Sequence, residues 1–517
     1  MKNSIKAILS WAENNIPKIL IILTVVISLG SFVYYFKTGQ ITAYGDSKGH
    51  LNIARRVIDS PTPGIAQLGG YWLPLLHLLM IPTIWNDYFW NTGISGSIPN
   101  IIAFIFAVYF TYKFSEDLTK SKLSGLLAAS VLLFNPNLLF MQSAPMTESL
   151  FIATTVSGSY YLYRYVRDSK ISDGILAGIL VSLSSLNRYE GWGLVIGSSA
   201  LLIYGWIISK FNRKREGQIF FYSTLALTGI LSWLIWGAVI FKDPLEFMHN
   251  TLSAGKQTQT QFTDVSVITG YHDAGMAALT NIYAFIHTSG YFVTSLVIIG
   301  FILFCIRNIK SIYKVEFLSI LVLSIPLLFD ILTVFIGNVP VEVPEFSRAL
   351  HSGYFNVRYS LYSLPLAAIL ISYIFKNKYF KILLFVIILF SYWNISELSG
   401  KKLAVLQDIG TNRTIGYFDK VNWFKANYNY DGYVLTSTGS DDTFMQDSGI
   451  HLKNFISEGS YKLWDESLEN PSKYAKWVLI SENNSRDEVN NKVNKQRLFD
   501  QFEVVYQFDN NMILKKK

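Results

Sequence analysis

The sequence predicts a polytopic α-helical membrane protein with a small α/β domain at its C-terminal end. Hydrophobic residues make up 51% of the 517 residues and charged residues only 15%, whereas an average soluble domain carries about a quarter charged residues. The apolar residues fall into long blocks separated by short basic loops, as in multi-pass membrane proteins. The blocks end near Trp393, and from Glu397 onward the chain is polar.

The apolar blocks are long enough to be counted as spans. Because roughly 20 apolar residues cross a bilayer as a helix, the length rule predicts about eleven transmembrane helices. They are expected near residues 16–36, 94–113, 123–140, 147–166, 171–187, 191–209, 218–241, 288–306, 315–337, 360–375 and 379–393.

The distribution of Lys and Arg predicts how these helices are oriented in the cell membrane. Loops that share one side are basic, at 113–122, 164–170, 210–215, 307–314 and 376–381, and the alternate loops have few or no basic residues. Since basic loops stay in the cytoplasm, the N-terminus is expected inside, as a retained anchor rather than a cleaved signal peptide. An odd number of spans then places the polar C-terminal part outside.

Two segments after the first span are predicted to lie along the membrane surface. Residues 51–60 form an amphipathic run, and residues 70–90 carry Pro74, His77 and Pro82 between aromatic ends. Such segments rest in the interface or re-enter it. Counting 70–90 as a span would also invert every later loop against the charge rule.

The polar C-terminal part predicts a small domain with mixed secondary structure. Helical stretches such as 486–499 lie between strand-like runs at 432–438, 476–481 and 502–508. We therefore predict a transmembrane catalytic domain at 1–393 and a soluble extracytoplasmic α/β domain at 394–517.

Composition also argues against several function classes. The net charge of +8 lies mostly in short loops, where it sets topology, so it is no signal for nucleic acid. The single cysteine, Cys305, lies in an apolar block, which excludes a disulfide framework and a cysteine metal cluster. The basic cytoplasmic loops contain no glycine-rich nucleotide-binding loop.

Charged residues of the predicted outer loops form the candidate site. Charges at membrane depth are costly and usually serve a function. Those of this chain gather on the predicted outer side: Asp46, His50, Glu148, Arg188, Glu190 and Arg358. This one-sided grouping predicts an active site on the external face.

Asp46 has three interpretations on the residues alone. It could act as a general base that removes a proton from an acceptor hydroxyl or amine. With His50, four positions along the same helical face, or with Glu148, it could instead bind a divalent cation. The third interpretation is that Asp46 or Ser47 caps the helix that follows.

The other charged residues also leave alternatives open. Arg358 could grip phosphate oxygens through two N–H groups, or extend to reach lipid headgroups. Arg188 and Glu190 could bind substrate or pair with charges on a neighbouring helix. Asp330, inside a predicted span, could mark an ion path or be the partner of an outer-loop arginine.

Several short motifs follow one another along the predicted transmembrane part. They are Asp46 with LNIARRVIDS (51–60), GGYWLP (69–74), PMTE (145–148), NRYE (187–190) and NVRY (356–359). In this order and topology the chain resembles the GT-C superfamily of glycosyltransferases. It is most similar to the protein O-mannosyltransferase-like group (glycosyltransferase family 39) and its prokaryotic relatives.

The resemblance implies a GT-C fold and inverting transfer of a sugar from a polyprenyl-phosphate donor, of which dolichyl phosphate mannose is one, on the outer face. It implies that Asp46 is the catalytic base and that Arg358, with Arg188, binds the donor phosphate. A divalent metal at Glu148 is an option. Protein O-mannosyltransferases carry paired acids where this chain has Asp46 and Ser47, so the acceptor stays open between protein, lipid and glycan.

The C-terminal part adds a second point of resemblance. FISEG (455–459) also occurs in prokaryotic relatives and, beside STGSDD (437–442), could meet the acceptor. The alternative is that both stretches are strand-to-helix turns in a packed domain.

The expected function is therefore a membrane hexosyl- or pentosyltransferase. Its expected partners are a polyprenyl- or dolichyl-phosphate sugar, an acceptor and membrane lipids, but no nucleic acid. Two other classes are open: a transporter or lipid flippase, which needs a polar path across the bilayer, and a non-enzymatic envelope protein. Both predict that Asp46→Asn leaves function largely intact.

Overall fold

The chain folds into two compact units. The computed structural model describes residues 2–208, 210–211, 213–250, 252–261, 265–308, 315–347, 353–374, 377–411 and 416–517. One unit, called the helical unit below, comprises Met1–Gln40, Ser97–Trp236 and Ser266–Ile409. The other, called the mixed unit, comprises Ile41–Gly96, Gly237–Val265 and Gly410–Lys517.

Most of the described chain is helical. The helices of its first half are α1 Lys2–Lys37, α2 Gly45–Arg56, α3 Leu75–Ile84, α4 Asp87–Thr92, α5 Ile94–Thr119, α6 Lys122–Leu133, α7 Pro136–Met141, α8 Glu148–Asp168, α9 Ile171–Ser185, α10 Glu190–Ile208, α11 Arg213–Ile240, α12 Glu246–His249 and α13 Ala254–Gln261. Those of its second half are α14 Ala274–Ser289, α15 Tyr291–Asn308, α16 Val315–Phe335, α17 Leu364–Tyr373, α18 Lys378–Ile395, α19 Ala404–Gln407, α20 Tyr417–Asn427, α21 Thr438–Asp447, α22 Lys462–Glu469, α23 Pro471–Tyr474, α24 Glu488–Lys492 and α25 Lys495–Gln501.

Within the described residues, seven helices are long and apolar enough to cross a membrane. They are Asn15–Lys37 of α1, α5, α10, α11, α15, Phe317–Phe335 of α16, and α18. The prediction of a multi-pass helical membrane protein is confirmed. The remaining predicted spans correspond to α6, α8, α9 and α17, which are shorter or less apolar.

Two predicted spans differ from the structure in their continuity. The span predicted at 123–140 is divided, because α6 ends at Leu133 and α7 starts at Pro136, with Asn135 capping the backbone N–H of Leu138. The span predicted at 360–375 begins as a 3-10 helix, Val357–Ser363, before α17. Proline near the start of each second helix explains the break, because its ring cannot follow a helical turn without losing a hydrogen bond.

The core of the helical unit is formed where helices α8, α9, α10, α11 and α16 pack together. Its buried side chains include Leu162, Val181, Leu194, Tyr222 and Val322, one from each helix. The N-terminal ends of α8 and α10 and the turn before α10 carry the charged residues singled out above.

The mixed unit contains one sheet with the strand order β2-β1-β3-β5-β4. Its strands are β1 Val434–Leu435, β2 Phe455–Ile456, β3 Trp477–Ser481, β4 Phe502–Phe508 and β5 Asn511–Lys516. β1 pairs in parallel with β2 and β3, whereas β5 pairs antiparallel with β3 and β4. The three predicted strands are confirmed, and β2 and β5 were not predicted. The helix predicted at 486–499 is divided into α24 and α25, because Val493 is extended and Asn494 caps α25.

The segments after the first span also belong to the mixed unit. The amphipathic run forms the second half of α2, and 70–90 forms α3 and part of α4, both too short to cross a bilayer. Helix α2 packs against α3 and against α21 of the C-terminal part. Lys48 and Asp447 form an ion pair between α2 and α21, and Asn52 donates to the backbone oxygen of Asp442 over 2.8 Å.

Candidate active site

The helical unit brings together four of the residues predicted for the site. Glu148 and Glu190 are the first residues of α8 and α10, where a carboxylate is stabilised by the helix dipole. Arg188 lies in the turn before α10, and Arg358 lies in the 3-10 helix before α17. All four belong to one charged group, called the arginine cluster, which also includes Tyr359, Tyr362 and Asp408.

Ion pairs hold both arginines of the cluster. Arg358 Nε lies 3.2 Å from Glu148 Oε1, and Arg358 Nη1 lies 3.7 Å from Asp408 Oδ2. Arg188 Nη2 lies 2.8 Å from Glu190 Oε1, and its Nη1 lies 3.8 Å from Glu148 Oε1. Glu148 therefore lies between the two guanidinium groups and is fully buried.

The backbone around Arg188 explains why that side chain is fixed. Asn187 donates to the backbone oxygen of Thr147 over 2.9 Å, and Arg188 Nη1 donates to Thr147 Oγ1 over 2.8 Å. Both bonds join the turn before α10 to the start of α8. Burial disfavours the charged form of Arg188, but Glu190 and the neighbouring groups outweigh it and raise the pKa of Arg188 well above its ordinary value.

Two tyrosines complete the cluster. The guanidinium carbons of Arg188 and Arg358 lie 4.5 Å and 5.0 Å from the ring centroid of Tyr359, within cation–π distance. Arg188 also lies 5.0 Å from the ring of Tyr362. The Tyr362 hydroxyl and Glu148 Oε2 are buried and have no hydrogen-bond partner among the described residues. Buried polar atoms of this kind point to a site where a further polar group binds.

Asp330 belongs to the surroundings of this cluster. It is 3% exposed in α16 and interacts electrostatically with Glu190 and Arg188. Of the two interpretations of Asp330, the structure therefore favours the partner of an outer-loop arginine over an isolated carboxylate on an ion path.

Asp46 lies in the mixed unit, in the first turn of α2. The helix begins at Gly45 with Tyr44 as its N-cap residue, and no side chain caps it by a hydrogen bond. The interpretation of Asp46 or Ser47 as the N-cap residue is therefore wrong, because Tyr44 holds that position and both residues lie within the first turn of the helix. Asp46 is half-buried.

A second carboxylate, Asp442 of α21, lies close to Asp46. Asn52 Nδ2 donates to Asp442 Oδ1 over 3.2 Å, and Arg56 Nη1 lies 3.4 Å from the same oxygen. A Cβ atom on Gly49, one turn after Asp46, would lie 3.0 Å from Asp442 Oδ2, so glycine permits this approach. Burial raises the pKa of Asp442, Arg56 and Asn52 oppose the rise, and the charge of Asp46 adds to it.

His50 lies beside a second histidine, His77, and beside Trp72. Its Nδ1 lies 2.8 Å from His77 Nε2, and its ring lies 4.3 Å from that of Trp72. Burial, reinforced by His50, lowers the pKa of His77 well below its ordinary value, which keeps that ring neutral.

A divalent metal at Glu148 or His50 does not fit the observed partners. In the part of the chain that the structure describes, no three His, Cys, Asp or Glu side chains are grouped so that they could hold a metal ion. Glu148 instead has two arginines as neighbours, and a cation would compete with both guanidinium groups for the same oxygen. A requirement of the reaction for a divalent metal stays a hypothesis.

Some site residues had no signal in the sequence. Asp408 lies in a polar stretch after the last span, and Tyr362 lies in an apolar run. His77 and Asp442 lie in segments that the sequence indicates, but their contacts with His50 and with α2 are visible only in the structure. A carboxylate in the same polar motif as another, as in STGSDD, is the one signal that could have indicated Asp442.

A family model matches part of the chain. Residues 77–236 match the model of dolichyl-phosphate-mannose-protein mannosyltransferases. This range includes Glu148, Arg188 and Glu190, whereas Asp46 and Arg358 lie outside it. A search of curated proteins finds no match.

Solved structures with the same fold cover nearly the whole chain. ArnT from Cupriavidus metallidurans, bound to undecaprenyl phosphate, is 9% identical over 96% of this chain and 97% of its own, with a TM-score of 0.57. The apo oligosaccharyltransferase of Archaeoglobus fulgidus is 11% identical over 91% and 70%, with a TM-score of 0.54. The same archaeal enzyme, AglB, in complex with an inhibitory peptide and a dolichol-phosphate, is 12% identical over 91% and 70%, with a TM-score of 0.51.

These similarities agree with the resemblance seen in the sequence. The fold is that of the GT-C enzymes ArnT and AglB, and the family model matches within the transmembrane part. The chain is therefore a multi-pass membrane protein that has the fold of ArnT and AglB and matches, over residues 77–236, the model of dolichyl-phosphate-mannose-protein mannosyltransferases.

Proposed function

We propose that the protein is an inverting glycosyltransferase that moves a sugar from a polyprenyl-phosphate donor to an acceptor on the outer face of the cell membrane. The arginine cluster is the observation that carries the proposal. It holds the buried guanidinium group of Arg358 and the partly buried one of Arg188 over one tyrosine ring, beside a buried tyrosine hydroxyl that has no partner among the described residues.

Arg358 and Arg188 are the proposed ligands of the donor phosphate. Each guanidinium group carries five N–H donors, more than one carboxylate accepts, so one arginine can hold a carboxylate and a phosphate together. Glu148, Glu190 and Asp408 keep the planes of the guanidinium groups fixed before the donor arrives. The Tyr362 hydroxyl would donate a further hydrogen bond to a phosphate oxygen.

Asp46 is the proposed general base. It would take the proton of an acceptor hydroxyl or amine while the acceptor atom attacks the anomeric carbon. The new glycosidic bond forms as the bond from the anomeric carbon to the phosphate oxygen breaks, and the polyprenyl phosphate leaves on the opposite face. Attack opposite the leaving group inverts the anomeric configuration, and the displacement of a polyprenyl phosphate requires no nucleotide.

The setting of the reaction rests on the charge pattern and on the fold neighbours. The basic loops favour a cytoplasmic N-terminus and an extracytoplasmic C-terminal domain. A lipid phosphate as donor agrees with ArnT, which was solved with undecaprenyl phosphate, and with AglB, which was solved with a dolichol-phosphate. The acceptor could be a protein, a lipid or a glycan.

Reconstitution tests this proposal directly. Envelope glycans of a deletion strain, compared by mass analysis with those of the parent, would identify the missing sugar and its acceptor. The purified protein in liposomes should then transfer that sugar from its polyprenyl phosphate and give a linkage of inverted configuration by NMR. Retained configuration, or transfer that requires a sugar nucleotide instead, would contradict the proposal.

A further inference from the structure

The described residues that line a pocket of about 90 Å³ in the mixed unit do not include Asp46 or any member of the arginine cluster. Its walls come from α2, from the segment after α2, from the chain that follows α11 and from the C-terminal part. Its lining includes Arg56, Gln67, Tyr71, Phe241, Glu458 and Tyr461. The pocket includes Gly459 of the FISEG motif, which the proposed reaction does not use.

Two buried polar atoms in the wall of this pocket lack partners among the described residues. Arg56 Nε is a hydrogen-bond donor and Gln67 Oε1 is an acceptor, in side chains of residues that are 8% and 2% exposed. The amide nitrogen of Gln67 donates to the backbone oxygens of Thr62 and Gly459, which fixes the direction of Oε1.

Gly459 lies between these two atoms. A Cβ atom on this residue would lie 3.0 Å from Gln67 Oε1 and 3.6 Å from Arg56 Nε. The absence of a side chain therefore leaves a donor and an acceptor facing the same small space. A hydroxyl group matches that pair, because it donates one hydrogen bond and accepts others at once.

The rest of the lining also fits a neutral molecule rich in hydroxyl groups. Aromatic rings of Tyr71, Phe241 and Tyr461 provide apolar faces, and Phe241 lies 6.1 Å from Tyr461 between ring centroids. The lining contains one guanidinium group, Arg56, which pairs with Asp442, and one carboxylate, Glu458, which accepts hydrogen bonds from Ser437 and Thr438. The balance of charge disfavours a phosphate or an ammonium group as the principal ligand.

We infer that this pocket binds a saccharide, and that it is the subsite for a sugar unit of a glycan acceptor. Ile53 of the pocket lies on the same face of α2 as Asp46, seven residues away, which is about 10 Å along a helix. A glycan bound in the pocket can therefore extend along α2 toward Asp46. Its identification as the acceptor rests on the proposed function, whereas the binding of a saccharide does not.

Saturation-transfer NMR on the full-length protein in nanodiscs tests the inference. The probes are methyl α-mannopyranoside, methyl β-glucopyranoside and maltotriose, with a serine- and threonine-containing peptide as the competing class. We expect saturation of at least one saccharide by the parent protein and none of the peptide. Saturation of the peptide alone, or of no probe, would overturn the inference.

Gly459→Ala locates the binding. The added methyl group fills the space between Arg56 and Gln67, and we expect about tenfold weaker saccharide binding, as for the loss of one or two hydrogen bonds. Gly217→Ala is the matched control, because Gly217 has no atom within 4 Å of its Cβ position. Unchanged affinity in Gly459→Ala would place the saccharide elsewhere and overturn the assignment.

Two further variants test the pocket if Gly459→Ala does not fold, and separate saccharide binding from sugar transfer. If Gly459→Ala does not fold, Phe241→Leu removes an aromatic face of the pocket and should also weaken binding. Asp46→Asn should bind saccharide as the parent does. Binding by Asp46→Asn together with failure of sugar transfer by the parent would contradict the proposed function and leave the saccharide site intact.

Discussion

Arg358 Nε and Glu148 Oε1 lie 3.2 Å apart in a buried ion pair that joins positions 210 residues apart in the chain. The exposed fractions of the two side chains are 6% and 0%. The pair connects the start of α8 with the turn before α17, and Arg188 approaches the same carboxylate oxygen. This contact fixes the arginine on which the proposed binding of the donor phosphate depends.

Loss of Arg358 should affect both folding and donor binding. Arg358→Gln leaves the Glu148 carboxylate with Arg188 alone, and breaking a buried pair costs about 3–5 kcal/mol of stability. We expect a clear fall in the thermal midpoint by scanning fluorimetry and a loss of binding to undecaprenyl phosphate by native mass spectrometry.

The double variant Glu148→Gln/Arg358→Gln separates these two effects. Removing both charges together should recover part of the lost stability, because Glu148 no longer carries a charge without its main partner, although Asp408 still loses its ion pair with Arg358. Binding of undecaprenyl phosphate should stay weak. Recovery of lipid-phosphate binding in the double variant would show that Arg358 acts only as the partner of Glu148.

Loss of the Tyr362 hydroxyl should weaken donor binding more than it lowers the stability of the fold. Its hydroxyl is buried without a partner among the described residues, so Tyr362→Phe removes a group that contributes no hydrogen bond to stability. We expect an unchanged or slightly higher thermal midpoint together with a severalfold higher KM for the donor.

Tyr392 provides the matched control for that variant. Its hydroxyl donates to the backbone oxygen of Val131 over 2.7 Å, and its side chain is also buried. Tyr392→Phe should lower the thermal midpoint, because an acceptor is left unpaired at a cost of about 1–3 kcal/mol. It should leave the KM for the donor unchanged. The opposite pattern in the two variants would exclude Tyr362 from the donor site.

Asp487 should make the stability of the mixed unit dependent on pH. Burial, with a contribution from Asp441, raises the pKa of Asp487 from 3.8 to about 6. The folded state therefore binds this proton more tightly than the unfolded chain, so the stabilisation is complete below the unfolded pKa and is lost as the pH rises through about 6.

The variant Asp487→Asn tests this titration. Between about pH 4.5 and 7.5, the difference in thermal midpoint between the variant and the parent should move in favour of the variant as the pH rises. Asp431→Asn is the control: burial alone would raise the pKa of Asp431, but hydrogen bonds from Lys476 and Trp477 lower it, so this variant should show no such trend. A flat difference for Asp487→Asn would contradict the assignment.

The sequence was sufficient to predict the fold in those parts of the chain where a pattern extends over many residues. Long apolar blocks predicted the helical membrane part, and short strand-like runs predicted β1, β3 and β4. β2 has only two residues and β5 ends in two lysines, so neither gives a strand pattern. The break after α6 depends on Asn135 and Pro136, whose short-range effect is hidden inside an otherwise apolar run.

The sequence predicted some charged residues of the candidate site but not the distant residues with which they pair. Burial of a charge requires a counter-charge, but sequence does not show which distant residue supplies it. Arg358 was singled out by its position, whereas its partner Asp408 lies in a stretch with no motif. In the same way, Asp46 was singled out after the first span, whereas Asp442 is brought near it only by the packing of α21 on α2.

Sugar transfer by Asp46→Asn tests the central claim most directly. Asparagine keeps the size of the side chain but cannot take a proton, so the rate of transfer from the polyprenyl-phosphate donor in liposomes should fall by about 10²–10⁴-fold. The thermal midpoint and the binding of undecaprenyl phosphate should be unchanged. The control is Asp87, an exposed carboxylate of the same unit. The Asp87→Asn variant should transfer sugar at the parent rate. Transfer by Asp46→Asn within a few fold of the parent rate would contradict the role of Asp46 as the base.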